Sequence, residues 1–287
     1  MRVILVFVSF LLAAPAMAEA NLKTDKGLAF SQWLPAGFSA RHHDVPLILF
    51  SHGFGGCSQQ SRTLTAALAE AGYAVLAPDH KDEGCERWKG GIAGRLMSGM
   101  ERPPERFLKP ENWHDTTARD RRDDMEALLD YALAHEPYQG AIDPDHIAAM
   151  GHSLGGYTAL GLGGAWTSWR DPRIKAVLAL SPYAAPFVSS KTLGDVAVPV
   201  MYQTGTRDIG IGPVLIKNGG YDMTAAPKYL VEFQGAGHFA WTELNPKYQK
   251  DIAAYAIAFL DKVLLGKTAP LLDGRPLSRV ALYRHQP

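Results

Sequence analysis

A serine at position 153 stands in a setting that favours nucleophilic chemistry. It lies in the sequence GHSLGG at positions 151–156, directly after an apolar run that ends at Met150 and before a stretch with helical spacing. Glycines in such a motif allow a sharp, strained turn between a strand and a helix. The turn lifts the serine hydroxyl clear of the sheet, and the pattern therefore predicts a nucleophile elbow.

A serine hydroxyl is a weak nucleophile and needs a general base, which in turn needs a carboxylate to orient it. His238 and Asp208 each follow a predicted strand. The carboxyl ends of parallel strands meet at one edge of a sheet, where α/β proteins build their sites. We therefore expect Ser153, Asp208 and His238 to form a catalytic triad. Asp195 and Asp222 remain alternatives for the acid.

A second glycine-rich segment, HGFGG at positions 52–56, follows an earlier predicted strand. Acyl transfer needs two fixed backbone N–H groups that stabilise the oxyanion, one after the nucleophile and one in such an early loop. This predicts Leu154 and Phe54 as the oxyanion donors. His52 is expected to be a structural, hydrogen-bonded residue and not a second base.

Aromatic side chains near the carboxyl-end loops are candidates for a substrate pocket, because such pockets are mostly apolar. The candidates are Tyr183, Phe239 and Trp241. A simple packing role in the core is the alternative for each of them.

The two cysteines of the chain, Cys57 and Cys85, each follow a predicted strand closely. Adjacent parallel strands would bring their loops together, so a disulfide that ties the oxyanion loop to the 81–115 connection is expected. Two free buried thiols are the alternative, because the sequence does not give the separation of the two Cα atoms.

Two polar clusters raise the question of a metal site, namely the pair His42 and His43 and the acidic segment 79–83. Neither cluster has a recognised ligand spacing. No metal and no other cofactor are therefore expected.

Apolar runs alternate with amphipathic stretches along the chain, a pattern typical of a mostly parallel sheet covered by helices on both faces. The predicted strands span residues 46–51, 73–77, 146–150, 174–181, 198–204 and 228–233. The predicted helices span residues 59–71, 116–135, 154–163 and 247–265. The connections 81–115 and 209–227 are longer than a compact unit needs, but little chain remains for a large cap domain.

The composition of the 287 residues is that of an ordinary globular protein, with 47% hydrophobic and 20% charged residues. Lys and Arg together number 29, as do Asp and Glu, so the formal net charge is zero. Without a positive field, binding to nucleic acid or to an anionic membrane surface is not expected.

The N-terminus has the pattern of a secretory signal peptide. Arg2 precedes an apolar run, and the run ends in Ala16-Met17-Ala18. The run is too short to span a bilayer, and its small-residue ending matches a cleavage site. The expected organisation is a signal peptide over residues 1–18 and a single catalytic domain over residues 19–287, exported to the periplasm or the medium without a stable membrane anchor.

The chain resembles the serine esterases of the α/β-hydrolase superfamily. The resemblance covers segments 46–56, 72–80, 146–156, 171–182 and 198–239. Among the branches, it is similar to the dienelactone-hydrolase-like, platelet-activating-factor-acetylhydrolase-like and polyester-hydrolase (cutinase-like) groups. Dienelactone hydrolases proper use a cysteine nucleophile, so Ser153 departs from that pattern and favours ordinary esters.

The resemblance implies an α/β-hydrolase fold with the triad and oxyanion donors already named. The expected function is the hydrolysis of carboxylic esters through an acyl-enzyme, on small-molecule or polymeric substrates of short to medium chain or bulky shape. A lipase, thioesterase, amidase or polyester hydrolase is the alternative on the same fold. A non-catalytic binding protein is a more distant alternative, and the oligomeric state is left open.

Overall fold

A central β-sheet confirms the expected α/β-hydrolase fold. The computed structural model describes residues 17–40, 43–85, 105–216 and 218–287. In these residues the strands form one sheet in the order β1-β2-β4-β3-β5-β6-β7-β8-β9. The strands are β1 Met17–Lys23, β2 Ala29–Leu34, β3 Val45–Ser51, β4 Ala74–Pro78, β5 Ile142–His152, β6 Ile174–Leu180, β7 Val200–Gly205, β8 Lys228–Phe233 and β9 Val280–Gln286.

The six predicted strands form the parallel centre of this sheet, from β4 to β8 in spatial order. Three strands were not predicted, and all three pair antiparallel at the sides of the sheet: β1 with β2, β2 with β4, and β9 with β8. The edge strand β9 is largely half-exposed and carries polar residues, so it lacks the continuous apolar run that marks a buried strand.

Helices cover both faces of the sheet. They are α1 Arg62–Glu70, α2 Arg119–Ala134, α3 Leu154–Leu160, α4 Ala185–Ser190, α5 Gly212–Ile216, α6 Gly220–Met223, α7 Gln249–Val263 and α8 Pro270–Asp273. Short 3₁₀ turns occupy Glu105–Leu108, Pro110–Asn112, Thr167–Trp169, Leu193–Asp195, His238–Trp241 and Pro246–Tyr248. Over the described ranges, no helix is both long and apolar enough to cross a membrane.

Alternating side chains of the central strands divide the core into two halves. Leu47 and Leu49 of β3 pack with α2 and α3 on one face, while Ile48 and Phe50 pack with α1 and α7 on the other. This alternation follows from the two-residue period of a strand. Helix α2 turns buried residues toward the first face at helical spacing, among them Met125 and Leu128.

The two long connections differ in content. In the connection 209–227, the short helices α5 and α6 occupy residues 212–216 and 220–223. In the first connection, two 3₁₀ turns lie between residues 105 and 112, and residues 86–104 lie outside the described part of the chain. Within the described ranges there is no separate cap domain.

Candidate active site

The turn between β5 and α3 carries Ser153 in a strained conformation, with φ 55° and ψ −116°. Two glycines are required there by close backbone contacts. A Cβ on Gly151 would lie 2.1 Å from the carbonyl oxygen of Gly155, and a Cβ on Gly155 would lie 1.9 Å from that of Ser51. No other residue fits these positions, and the sharp turn brings the serine to the carboxyl edge of the sheet.

Ser153, His238 and Asp208 come together at this edge. His238 follows β8, and its Nε2 lies 3.0 Å from Oγ of Ser153. Asp208 follows β7, and its Oδ1 lies 3.0 Å from Nδ1 of His238. The three side chains, which are separated by 85 and 30 positions along the chain, thus form one hydrogen-bonded line.

Each of the two hydrogen bonds in this line has a defined donor and acceptor. The Asp208 side chain is fully buried and, as a carboxylate, can only accept hydrogen bonds, so Nδ1 of His238 carries the proton between them. Nε2 then holds the lone pair and accepts from the Ser153 hydroxyl. This is the tautomer in which an imidazole can remove a proton from a serine.

A fourth polar residue, Ser181, lies against this line and was not among the predicted site residues. Its hydroxyl donates to Oδ2 of Asp208, and its Oγ lies 2.8 Å from Nδ1 of His238. Ser181 directly follows β6, just as Asp208 and His238 follow β7 and β8. The rule that places site residues after the carboxyl ends of parallel strands would have found it.

His152 and Gln60 link the loops around the site. Nε2 of His152 donates to the backbone carbonyl of His238 at 2.8 Å, and Nδ1 accepts from the Gln60 amide at 2.9 Å. The Gln60 carbonyl oxygen accepts from the backbone N–H of Gly53 at 3.1 Å. Burial, followed by the charge of His238, lowers the pKa of His152 to about 3. The neutral imidazole therefore holds the His238 loop and the 52–56 loop in place.

The two residues expected to supply the oxyanion donors, Leu154 and Phe54, lie close to the nucleophile. Leu154 follows Ser153 directly, and Gly53, which precedes Phe54, is so close that a Cβ on it would lie 3.4 Å from Cβ of Ser153. Within the described ranges, no protein group accepts a hydrogen bond from the backbone N–H of Phe54 or of Leu154. Phe54 and Leu154 therefore remain the candidates for the oxyanion donors.

His52 has no capacity left to act as a base. Nδ1 donates to the carbonyl of Gly53 at 2.8 Å, and Nε2 accepts from the backbone N–H of His80 at 3.1 Å. Burial, followed by the charge of Arg121, lowers the pKa of His52 to about 3. Both ring nitrogens are used within the fold, as expected for a structural histidine.

Comparison with known proteins supplies the family. A family described as "PET hydrolase-like" matches residues 113–268, which are more than half of the chain and include the three side chains of the hydrogen-bonded line. The chain belongs to the PET hydrolase-like family. A second family, "Platelet-activating factor acetylhydrolase, isoform II", matches residues 31–87 around the 52–56 loop. The resemblance to the polyester-hydrolase (cutinase-like) and platelet-activating-factor-acetylhydrolase-like branches is thereby confirmed.

Individual relatives agree with this membership. Cutinase est2 of Thermobifida alba is 30% identical over 219 residues, which cover 75% of this chain and 58% of the cutinase. The platelet-activating factor acetylhydrolase of Cavia porcellus is 25% identical over 49% of this chain and 36% of its own length. Esterase YjfP of Escherichia coli is 31% identical over a match that covers 41% of this chain and 39% of the esterase. The matches thus span less than two thirds of each relative.

The three aromatic pocket candidates of this PET hydrolase-like chain have different surroundings. The side chain of Phe239 is 48% exposed, and its ring lies 5.4 Å from that of His238. Tyr183 is mostly buried, and its hydroxyl donates to the carbonyl of Phe107 at 2.8 Å. Only Phe239 offers a large open face beside the site.

Trp241 does not fit the expectation of a pocket residue and is a core residue instead. Its side chain is 0% exposed, and its indole N–H donates to Gln203 at 3.0 Å. It packs behind the His152 ring, with the two centroids 6.4 Å apart. Trp241 lies three residues after His238, where the 3₁₀ turn begins, and the turn directs its side chain into the core.

Cys57 and Cys85 form a disulfide in this family member, with their Cα atoms 5.5 Å apart. The bond ties the residue after the 52–56 loop to the connection that follows β4. Glu83 lies close to both sulfur atoms. Sulfur atoms joined in a disulfide are not thiolates, so this group does not offer the ligands that a zinc ion requires.

The alternative acids lie elsewhere. Asp195 is exposed in a 3₁₀ turn, and Asp222 lies in α6, where it pairs with Arg284 at 2.7 Å. Of the three carboxylates considered, Asp208 is the one that the structure brings to His238.

Proposed function

We propose that this chain is an exported serine hydrolase that cleaves carboxylic esters through an acyl-enzyme. Ser153 is the nucleophile, His238 the general base and acid, and Asp208 the orienting carboxylate. The observation that carries the proposal is the continuous line from Ser153 Oγ through His238 to Asp208, with both hydrogen bonds at 3.0 Å.

In the acylation step, Oγ of Ser153 bonds to the ester carbonyl carbon while its proton passes to Nε2 of His238. The negative charge that develops on the carbonyl oxygen is stabilised by the N–H groups of Phe54 and Leu154. When the tetrahedral intermediate collapses, the bond to the alkoxy oxygen breaks, and His238 returns its proton to the departing alcohol.

Deacylation repeats these steps with water. His238 takes a proton from a water molecule, whose oxygen bonds to the acyl carbon, and then protonates Oγ of Ser153 as the acid leaves. Asp208 stays ionised throughout and stabilises the imidazolium that forms in both halves. No further group is needed for either half of the cycle.

The proposed substrates are carboxylic esters of short to medium chain or bulky shape. The relatives are a cutinase, an acetylhydrolase and an esterase, which supports an ester substrate. The half-exposed ring of Phe239 beside His238 supports an apolar contact with the acyl or alcohol group of the substrate. Tyr183 is proposed as a second residue of the same pocket.

Export is proposed from the N-terminal pattern. Removal of residues 1–18 would take the first two residues of β1 and leave Glu19 as the first residue paired with β2. The Cys57–Cys85 disulfide supports residence in an oxidising compartment. N-terminal sequencing of the protein recovered outside the cytoplasm tests this proposal, and a start at Glu19 is expected.

The activity is tested by hydrolysis of a p-nitrophenyl ester series from acetate to palmitate, with wild type beside Ser153→Ala. Short-chain hydrolysis that is lost in the variant supports the esterase, and a long-chain optimum favours a lipase instead. Absence of Ser153-dependent hydrolysis across the series contradicts the proposed esterase. An amide and a thioester of the same acyl group then separate the remaining alternatives.

A further inference from the structure

A buried arginine of α2, Arg121, lies beneath the 52–56 loop. Its side chain is only 1% exposed. Nε and Nη2 donate to the two carboxylate oxygens of Asp82 at 3.1 and 2.9 Å, a paired geometry that suits a guanidinium. A buried charge is expensive unless it is paired and hydrogen-bonded, so the remaining N–H groups should also have acceptors.

One of those acceptors is the Ser51 hydroxyl, 3.2 Å from Nη1, and the other two are backbone carbonyls of the loop that carries Phe54. Nη1 of Arg121 donates to the carbonyl of His52 at 2.6 Å, and Nη2 donates to that of Gly53 at 3.2 Å. The Gly53 oxygen also accepts from Nδ1 of His52 at 2.8 Å and from the N–H of Gly56 at 3.0 Å. Three donors, one of them cationic, thus converge on a single carbonyl oxygen.

That carbonyl belongs to the same peptide unit as the N–H of Phe54. The Gly53–Phe54 bond is trans, so its C=O and N–H point in opposite directions. When Arg121 fixes the oxygen on the α2 side, the N–H is fixed on the opposite side. Gly53 lies against Ser153, and the Phe54 N–H has no acceptor within the described part of the chain.

We infer that Arg121 is a positioning residue for catalysis, which orients and polarises the Gly53–Phe54 peptide so that its N–H binds the oxyanion. The inference rests on the proposed function. A cationic donor on the carbonyl draws electron density from the amide and strengthens the N–H as a donor, because hydrogen bonds along a polarisable chain reinforce one another. The orientation is fixed before the reaction, as electrostatic stabilisation of a transition state requires.

The role of Arg121 differs from that of an arginine that forms only ion pairs. Arg173, whose side chain is 33% exposed, pairs with Asp171 and Asp130, so its partners are carboxylates and not carbonyls of the 52–56 loop. Arg173→Lys is therefore a matched control, which perturbs a charged network without touching the peptide beside Ser153.

The experiment compares wild type, Arg121→Lys, Arg121→Met and Arg173→Lys on one p-nitrophenyl ester. Loss of a single oxyanion donor costs about 10²–10³-fold in kcat. Misorientation of that donor should therefore lower kcat about 10- to 100-fold in both Arg121 variants, with KM within about twofold. A trifluoromethyl ketone, which forms a tetrahedral oxyanion on a serine, should lose affinity in the same proportion as kcat/KM falls. Arg173→Lys should match wild type in both measurements.

Rates are referred to active sites counted with a stoichiometric serine probe, so that partial unfolding does not imitate the effect. Arg121→Lys keeps the positive charge. If Arg121→Met does not fold, the comparison of Arg121→Lys with wild type is sufficient for the test. An unchanged kcat and an unchanged inhibitor affinity in Arg121→Lys would overturn the inference. A loss confined to KM would also overturn it, because that pattern reflects uniform binding and not transition-state stabilisation.

A readout without substrate separates this inference from the proposed function. Arg121→Lys should speed amide exchange in residues 53–56, while Arg173→Lys should not. One outcome is that the wild type shows no Ser153-dependent hydrolysis while Arg121→Lys still exchanges residues 53–56 faster than the wild type. That combination contradicts the proposed function but not the role of Arg121 in holding the loop. Unchanged exchange in Arg121→Lys counts against Arg121 as the group that holds the loop.

Discussion

Oγ of Ser181 lies 2.8 Å from Nδ1 of His238, the nitrogen that also faces the Asp208 carboxylate. Because the Ser181 proton is directed to Asp208, its oxygen offers a lone pair to the Nδ1 proton. Removal of the hydroxyl in Ser181→Ala should lower kcat about 10- to 100-fold, the equivalent of one hydrogen bond to a charged group. Steady-state kinetics on a p-nitrophenyl ester measures this.

Ser31→Ala is the matched control for this substitution. Ser31 is equally buried and hydrogen-bonded, but its partner is Ser58, and it lies on β2, which β4, β3 and β5 separate from β6 in the sheet. The Ser31→Ala variant should be less stable than wild type, but its kcat per active site should be unchanged. Equal kcat values for Ser181→Ala and wild type would show that the hydroxyl does not support the His238–Asp208 pair.

Stability should fall steeply as the pH drops below about 6.5. Burial lowers the pKa of His52 and of His152 to about 3 and that of His80 well below its ordinary value. The unfolded chain therefore takes up three protons that the folded chain does not, which favours unfolding as the pH falls. Burial raises the pKa of Asp124 to about 7, so the folded chain holds one proton that the unfolded chain lacks at pH 4–7.

The two histidines with a pKa of about 3 outnumber Asp124, and His80 acts in the same direction as they do. Each net proton corresponds to about 1.4 kcal/mol per pH unit, so the free energy of unfolding should fall on the order of 1–3 kcal/mol per unit between pH 6 and 4.5. Urea unfolding at several pH values measures the slope. His152→Asn should reduce this slope by about 1.4 kcal/mol per pH unit, because the variant lacks one of the buried histidines that only the unfolded chain protonates. A slope near zero would contradict the buried neutral histidines.

Reduction of the Cys57–Cys85 disulfide should destabilise the protein. The bond closes a loop of 28 residues, and the chain entropy of such a loop corresponds to about 3–4 kcal/mol. Urea unfolding with and without reductant measures the difference. The double variant Cys57→Ser, Cys85→Ser should resemble the reduced protein and should not respond to reductant. Equal stability of the oxidised and reduced forms would be inconsistent with this structure.

Phe239 and Trp241 should respond to substitution in opposite ways. Phe239 is half-exposed beside His238, so Phe239→Ala should raise KM for an aromatic or medium-chain ester about 3- to 10-fold with little change in stability. Trp241 is fully buried, so Trp241→Phe should lower the free energy of unfolding by about 1–3 kcal/mol and leave KM unchanged. A KM that is unaffected by Phe239→Ala would remove Phe239 from the proposed pocket.

The sequence allowed the parallel centre of the fold and the three members of the hydrogen-bonded line to be located, for a physical reason. Buried parallel strands need continuous apolar runs, and the residues that follow them meet at one edge. Ser153, Asp208 and His238 each follow such a run. The antiparallel strands at the sides, with their mixed composition, carry no comparable signal.

Roles that depend on contacts between distant segments were beyond this reasoning. Arg121 and Gln60 lie on or before helices with ordinary amphipathic patterns, and only the folded chain shows which carbonyls and rings they contact. Trp241 shows the same limit, because its place in the chain beside His238 does not reveal that the turn directs the ring into the core.

The central claim is that Ser153 is the residue that becomes acylated, and mass spectrometry after reaction with a fluorophosphonate tests it directly. One adduct per chain is expected, on the peptide that contains Ser153, and Ser153→Ala should remain unmodified. His238→Ala should react much more slowly, because the hydroxyl loses its base. An unmodified wild type, or an adduct on another residue that persists in Ser153→Ala, would contradict the account.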